Sequence, residues 1–547
     1  MREKYSFDIK KTLYEFVSIQ SDTGTKLEKN LEKYLLEFIS QLSCFKEKKD
    51  FGTYRLNQDR LDREVVWALL KRDSDDTIIL LNHHDVVDSY DYGEIKSFAY
   101  EPDTLRDKLK VFNLPQDVIR DISSGEWIFG RGSADMKAGI VIQLAVLDKL
   151  SRDKNFNGNI LFLSVPDEET LSHGMRECTK LLLKLKTKYS LNYKLLINSE
   201  PHEREKEDEY IVYEGSVGKT MAVVYVRGKK SHIGQIFQGL NPSLIMSKII
   251  SNTEMNSELC DIRLGESSPP PSWSYCRDFK EVYDASIPEA AGGYLSFLTL
   301  ERTPKDIISG LKKICEKSFT EAIKQANFNY KKFTNSNDEL KWRVNVKQYS
   351  ELYKAAKEYC GEKIDDILKE TLDRIEGDIK EGKITIPESN FLIIKTLLNN
   401  VPYTEPIIVI AFSPPYYPHI SNRDMKLSED IEKLSEFIDT IARKDYKNVV
   451  KKREYFMGIS DLSYAGLMDN DEVIPYIEPN MPLWNEKFYT IPFEAMKKLS
   501  IPIINIGPWG KDIHKMTERV YKPDIMSQTP WLIESVIRYL LKDKGDK

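Results

Sequence analysis

The chain has 547 residues, and its 80 lysines and arginines nearly balance 86 aspartates and glutamates, for a net charge of -6. This length predicts more than one domain with an ample apolar core. The near balance of charge argues against a nucleic-acid partner, and the absence of a long apolar run argues against a membrane partner. Six scattered cysteines without a CxxC pair, and an N-terminus without an apolar signal core, favour a cytoplasmic protein with reduced thiols.

The first predicted elements are two helices and the strands of a sheet. Apolar residues at helical spacing predict helices over 8–17 and 27–39, with the turn Ser21-Asp22-Thr23-Gly24 between them. Two strands are predicted within 53–70. The apolar, β-branched run over 77–81 indicates a strand that is buried on both faces, which is typical of a parallel sheet in an α/β domain.

The motif Asn82-His83-His84-Asp85 directly follows that strand. Open α/β sheets bind ligands at the carboxyl ends of their strands. His83 and Asp85 should point to one side and His84 to the other, because side chains alternate along a strand. A neutral imidazole is a good transition-metal ligand, and a neighbouring carboxylate can fix its tautomer. Taken alone, the motif is equally consistent with a polar strand end.

Residues 89–126 are polar and irregular, so they are predicted to form an inserted surface segment. A Gly-rich loop, Gly130-Arg131-Gly132, follows and leads into a predicted helix over 138–150. Asp135 lies in this loop just before the helix. Its two interpretations are a helix N-cap and a ligand held by an ordered backbone.

Two later strands and a loop supply more polar side chains. The predicted strand over 160–165 ends in Pro166-Asp167-Glu168-Glu169, and the strand over 193–198 ends in Ser199-Glu200. Adjacent carboxylates repel one another unless solvent or a cation neutralises them, so a solvated acidic loop is the alternative. A last core strand over 501–506 precedes the glycine loop that carries His514.

The middle of the chain has the element order of a small α+β domain. Residues 336–400 are largely helical and charged and form an insertion within it. The predicted fold class is therefore α/β, with a mostly parallel sheet and an inserted α+β lid. The expected catalytic domain is 1–212 and 423–547, and the expected lid or dimerisation domain is 213–422, with its helical insertion at about 330–402.

Five side chains from strand ends and loops could bind metal ions together: His83, Asp135, Glu169, Glu200 and His514. Two imidazoles and three carboxylates suit one or two borderline divalent ions, above all zinc. A carboxylate can bridge two ions in a two-metal hydrolase, where the ions polarise a carbonyl and lower the pKa of water. Glu168 lies beside a ligand and could accept the proton from that water.

Six ordered motifs, HHDVVD, GRGSADMKAG, PDEE, SEP, KKSHIG and GPWGKDIH, resemble those of the M20 family of co-catalytic zinc peptidases and amidohydrolases. The length of the chain and its extended middle resemble the arginine-utilisation branch of that family. The resemblance implies a zinc-exopeptidase-like catalytic domain that binds two ions, with zinc as the expected metal and cobalt or manganese as alternatives. It also implies a lid domain through which two chains form a homodimer.

The resemblance implies a role for each matching residue. His83 and His514 each bind one ion, Asp135 bridges both, and Glu169 and Glu200 complete the two sites. Asp85 orients His83, Glu168 is the general base, and His232 of the lid stabilises the oxyanion, often from the neighbouring subunit. A cis peptide bond is implied at Asp135-Met136.

The leading hypothesis is a metal-dependent hydrolase that cleaves an amide or peptide bond in an N-acyl amino acid or small peptide. The chain departs from the family pattern at Asp88, where proline is usual, and at Ser463, where arginine often binds the substrate carboxylate. One alternative is a catalytically idle relative that acts as a binding or assembly protein. Another is a two-metal phosphoesterase, for which only Arg131 and Lys137 offer nearby cations.

Overall fold

The computed structural model describes residues 5–46 and 50–541, which fold into two compact units. The first unit comprises the described residues up to Ser216 together with Ile420–Leu467 and those from Ile491 onward, and the second comprises Val217–His419 and Met468–Thr490. Sequence analysis had assigned residues 468–490 to the catalytic domain. They join the second unit because Leu483 is buried in its core and Asn480 Oδ1 accepts a hydrogen bond from the Ser350 N–H.

Within the described residues, eight strands of the first unit form one mixed, mostly parallel sheet, which confirms the predicted fold class. In sheet order these strands are Phe51–Arg55, Glu64–Leu70, Asn159–Val165, Asp76–His83, Asn192–Asn198, Ile503–Asn505, Glu209–Tyr213 and Val449–Arg453. The four strands from Asn159–Val165 to Ile503–Asn505 run parallel to one another. Their carboxyl ends therefore lie along the same edge of the sheet.

The helices of the first unit enclose a core that includes Leu144, Phe162 and Ile504, each fully buried. The strand Asn159–Val165 has apolar residues on both of its faces, so other parts of the chain must cover both faces. The main helices of this unit are Ile9–Ser18, Glu28–Gln41, Ala138–Arg152, His173–Tyr189, Leu434–Tyr446, Phe493–Leu499 and Thr529–Leu540.

The first unit also contains a small antiparallel sheet, with strands Gly510–Lys511, Arg519–Tyr521 and Trp127–Phe129. Residues 89–126, predicted to be irregular, are instead helical over Tyr90–Phe98, Pro102–Leu109 and Gln116–Ser124. The prediction was wrong because the few apolar residues of these short helices suffice to form a separate core. Its buried members include Tyr92, Leu105, Leu109, Val118 and Trp127.

The second unit contains a sheet of five described strands, which in order are Ser272–Asp278, Ala290–Thr299, Gly218–Arg227, Ile407–Tyr417 and Val346–Gln348. The strand Ile407–Tyr417 contains two consecutive prolines, Pro414 and Pro415. The ladder shifts between Ser413 and Tyr416, and the cis Pro414–Pro415 pair occupies this irregularity, where no ladder N–H is needed.

Helices of the second unit pack on this sheet. The first two are Pro242–Thr253 and Pro304–Thr334, and the predicted helical insertion consists of Tyr349–Cys360, Lys363–Lys380 and Ile386–Asn399. The insertion buries Phe391 and Ile394 against Val223 and Tyr225 of the sheet. Every described helix of the chain is too short or too polar to cross a bilayer.

Candidate metal centre

The five predicted metal ligands come together at the carboxyl edge of the large sheet, in two groups. In one group His83 Nε2 lies 3.0 Å from Asp135 Oδ1 and 3.3 Å from Glu200 Oε1. In the other, His514 Nε2 lies 3.2 Å from Asp135 Oδ2 and 3.2 Å from Glu169 Oε2. The two oxygens of Asp135 therefore face different groups of donor atoms.

Asp85 contacts both His83 and the turn that follows the neighbouring strand. His83 Nδ1 lies 3.0 Å from the Asp85 carbonyl oxygen and 3.7 Å from its Oδ1. The two carboxylate oxygens of the fully buried Asp85 accept the backbone N–H groups of Glu168 and Glu169, each at 3.1 Å. One side chain thus contacts a ligand on one strand and fixes the backbone of the turn that carries Glu168 and Glu169.

The turn with Glu168 and Glu169 is held further by residues that sequence reasoning missed. Asp167 has a φ of 70°, a left-handed conformation that is uncommon outside glycine. Its N–H donates to Glu28 Oε2 at 3.0 Å, and Arg63 donates to Glu28 Oε1 at 2.9 Å and also to the Asp167 carboxylate. Glu28 and Arg63 lie far from the turn in sequence, so no local pattern marks them.

Glu518 and Arg131 hold the loop that carries Asp135. Glu518 Oε1 accepts the N–H groups of Ala134 at 3.1 Å and Asp135 at 3.3 Å, while Arg131 donates to Glu518 Oε2 at 2.8 Å. The Asp135–Met136 bond is cis. Sequence analysis considered Arg131 only as a free cation and did not identify Glu518.

Glu200 is fixed by the adjacent strand. Its N–H donates to Asn505 Oδ1, and Asn505 Nδ2 donates to its carbonyl oxygen, both at 2.9 Å. Gly507 packs so closely that a Cβ there would lie 1.9 Å from the Glu200 carbonyl oxygen. These contacts fix the backbone of Glu200 and do not involve its carboxylate, which contacts His83.

The charges of the centre are set by burial and by mutual contact. Burial, together with the charge of Asp135, raises the pKa of Glu200 to about 8 and that of Glu169 to about 7. Burial also raises the pKa of Glu168 well above its usual range. For His514 burial acts in the opposite direction, yet its hydrogen bonds to Asp135 and Glu169 raise its pKa to about 11. Buried carboxylates therefore outnumber the groups that could neutralise them.

The donor atoms fit divalent cations on two grounds. Imidazole nitrogens with carboxylate oxygens form the ligand set of zinc and related ions. Glu169 Oε1 is buried and has no hydrogen-bond partner among the described residues, which is costly unless a cation binds it. His83, Asp135 and Glu200 could hold one ion, and Asp135, Glu169 and His514 could hold another.

The remaining predicted or noted residues lie elsewhere. His232 is an exposed residue of the second unit, where its Nδ1 accepts the Gly234 N–H at 3.1 Å. His84 has other partners than His83: its Nδ1 lies 3.1 Å from Ser164 Oγ and its Nε2 lies 3.6 Å from Glu32 Oε1. Ser463, at the position where arginine was expected in the family loop, is fully buried.

Known proteins of one peptidase family are similar to this chain. The model of Peptidase family M20/M25/M40 matches residues 110–466. Uncharacterized protein YqjN of Bacillus subtilis (strain 168) is 33% identical over 97% of this chain and 96% of its own length, and Protein RocB of the same strain is 31% identical over 96% and 94%. The M20 family metallo-carboxypeptidase Sso-CP2 from Sulfolobus solfataricus shares the fold, with a TM-score of 0.53 at 13% identity over 97% of this chain and 99% of that one.

Proposed function

This chain belongs to peptidase family M20/M25/M40, and from that premise we propose that it cleaves an amide bond of an N-acyl amino acid or small peptide with the help of two divalent ions. Membership of the family makes it a hydrolase of peptide or amide bonds. The observation that supports two ions is the position of Asp135, whose two oxygens face separate donor groups. Zinc is the proposed metal, with cobalt or manganese as alternatives.

The proposed ligands are His83, Asp135, Glu200, Glu169 and His514. Ions bound there would supply Lewis acidity, which polarises a carbonyl group and makes water a stronger nucleophile near neutral pH. Glu168 Oε2 lies 4.0 Å from His83 Nε2, and donor atoms of His83, Glu168 and Glu169 all lie within 4.8 Å of one another. We assign Glu168 the role of general base, which takes a proton from the attacking water and returns it to the leaving nitrogen.

His232 is proposed to donate a hydrogen bond to the carbonyl oxygen as negative charge develops on it. Its exposed position in the second unit leaves the ring accessible to a substrate or to another chain. We propose that the second unit serves as a lid and also forms a homodimer. A cytoplasmic location and a role in arginine metabolism stay predictions from the sequence.

A two-metal phosphoesterase would need cationic side chains that contact the phosphate, and the two candidates are engaged elsewhere. Arg131 is buried and pairs with Glu518 and Asp91, and Lys137 is buried with its Nζ 2.7 Å from the Ile19 carbonyl oxygen. Both are engaged in internal contacts and do not point into the site as phosphate clamps. The complete donor set also gives no support to a catalytically idle relative.

The experiment is a screen of N-acyl amino acids and dipeptides with the zinc- and cobalt-loaded protein, with Glu168→Gln as the matched control. Glutamine keeps the shape of Glu168 but cannot act as a base. We expect both ions to remain and turnover to fall by about 10²–10⁴-fold. Loss of metal from Glu168→Gln would mean that Glu168 and Glu169 have exchanged roles. Two bound ions without turnover of any amide would favour the idle relative.

A further inference from the structure

His514 lies on a loop between two short strands and is partly exposed. The loop joins the short strands Gly510–Lys511 and Arg519–Tyr521, and the His514 side chain is 47% exposed. The φ angles of Asp512 and His514 are 52° and 64°. This left-handed conformation is uncommon for residues other than glycine, although aspartate and histidine adopt it more often than most. Contacts with other parts of the chain help to hold the loop in this conformation.

The strongest of these contacts is made by Arg519, which is fully buried. Its Nε lies 2.8 Å from Asp121 Oδ2 and its Nη2 lies 2.9 Å from Asp117 Oδ2, and both aspartates belong to the helix Gln116–Ser124. Its Nη1 donates to Asp512 of the loop. One guanidinium therefore joins this helix to the loop that carries His514.

Further hydrogen bonds join residues of the loop to Asp512, Asp121 and Arg519. Thr517 Oγ1 donates to Asp512 Oδ2 at 2.8 Å, and Arg519 Nη1 donates to the Thr517 carbonyl oxygen at 3.1 Å. Lys511, at the other end of the loop, donates to Asp121 Oδ2 at 2.9 Å. Both ends of the loop are thus fastened to Asp121.

A second link joins the same segment of the chain to His514 itself. Arg131 Nη2 lies 2.6 Å from Asp91 Oδ1 and 3.4 Å from the His514 carbonyl oxygen. Asp91 belongs to Tyr90–Phe98, so residues 90–124 contact the loop through two arginines. We call residues 90–124 the clamp segment.

We propose that the clamp segment positions His514 for metal binding, with Arg519 as the positioning residue. The inference rests on the proposed two-metal function. Groups that orient a metal ligand without touching the ion typically change metal affinity 10–100-fold. Arginine suits this role because its planar fork contacts three carboxylates at once, whereas lysine is a single point charge. The Glu200 side of the centre has its own support from Asn505, so the effect should be confined to the His514 side.

The test is a titration of metal-free, full-length protein with Co²⁺, followed by visible absorbance, with thermal unfolding of the metal-free form measured in parallel. The variants are Arg519→Lys and Asp117→Asn, and the matched control is Arg538→Gln. Arg538 pairs with Asp153 and Glu534 of the same unit, and these two acids belong neither to the clamp segment nor to the loop. Wild-type protein should bind two ions. In both variants one of the two Co²⁺-binding steps should become about 10–100-fold weaker. This should be the binding step that is lost in His514→Ala.

In the same titration the other step, and both steps of Arg538→Gln, should stay at their wild-type values. Equal weakening of both steps would show a general structural role and overturn the inference. If Arg519→Lys does not fold, Asp117→Asn decides, because the Asp117 side chain is 47% exposed and its loss is readily tolerated. Unchanged steps in that folded variant would also overturn the inference. Failure of the wild-type chain to bind two ions would instead refute the proposed function.

Discussion

The substitution Asp85→Asn separates two roles for this buried aspartate. The family resemblance assigns it to the orientation of His83, but its carboxylate also accepts the N–H groups of Glu168 and Glu169, one on each oxygen. Asparagine preserves the shape and has only one acceptor oxygen. One of the two N–H groups must then face an amide NH₂ and lose its hydrogen bond.

The size of the effect follows from these two contacts. A buried donor left unsatisfied costs about 1–3 kcal/mol, and replacing a charged acceptor by a neutral one at the other N–H costs roughly 1 kcal/mol more. We therefore expect a loss of about 2–4 kcal/mol in the free energy of unfolding. Because Asp85 touches His83 of one donor group and the backbone of Glu169 of the other, both ions should bind about 10–100-fold more weakly.

The assay combines thermal unfolding of the metal-free protein with Co²⁺ titration. Asp148→Asn is the control, since Asp148 is a buried carboxylate of the same unit that pairs with Arg152 and touches neither ligand turn. Weaker binding at the His83 step alone would refute the role in the turn and leave only the orientation of His83. Wild-type binding at both steps would refute both roles.

Three further predictions concern the centre. Asp135→Ala should remove both ions and His514→Ala mainly one, as elemental analysis would measure; full metal content in Asp135→Ala contradicts bridging. His232→Ala should lower kcat by about 10²–10³-fold with both ions bound, and an unchanged kcat would contradict the proposed role of His232. If His232 acts across a dimer, mixing His232→Ala chains with Glu168→Gln chains should restore activity. Gly507→Ala should lower the melting temperature and weaken one ion by displacing Glu200, so wild-type values for both would refute the close packing.

The proposed metal ligands follow a local rule that the sequence shows. His83, Glu169 and Glu200 each come just after a buried apolar strand, and parallel strands bring such positions to one edge. The clamp segment was misjudged because its helices are short and mostly polar, so that their apolar residues resemble scattered surface positions. Glu518 lies 384 residues from Ala134, to which it is hydrogen-bonded, and nothing near it in the sequence distinguishes it from any other acidic residue.

The arrangement of charge around the centre supports the proposal that divalent ions neutralise its carboxylates. Five carboxylates face the two imidazoles: Asp85, Asp135, Glu168, Glu169 and Glu200. The loops that carry the ligands and their neighbours do contain arginines, but each described one pairs with other acids. Arg63 pairs with Glu28, Asp59 and Asp167, Arg131 with Glu518 and Asp91, and Arg519 with Asp117, Asp121 and Asp512. These arginines hold the backbone around the centre through acids that are not proposed metal ligands. The two proposed divalent ions would carry four positive charges against those five negative ones, which would bring the buried site close to neutrality without protonating the proposed ligands.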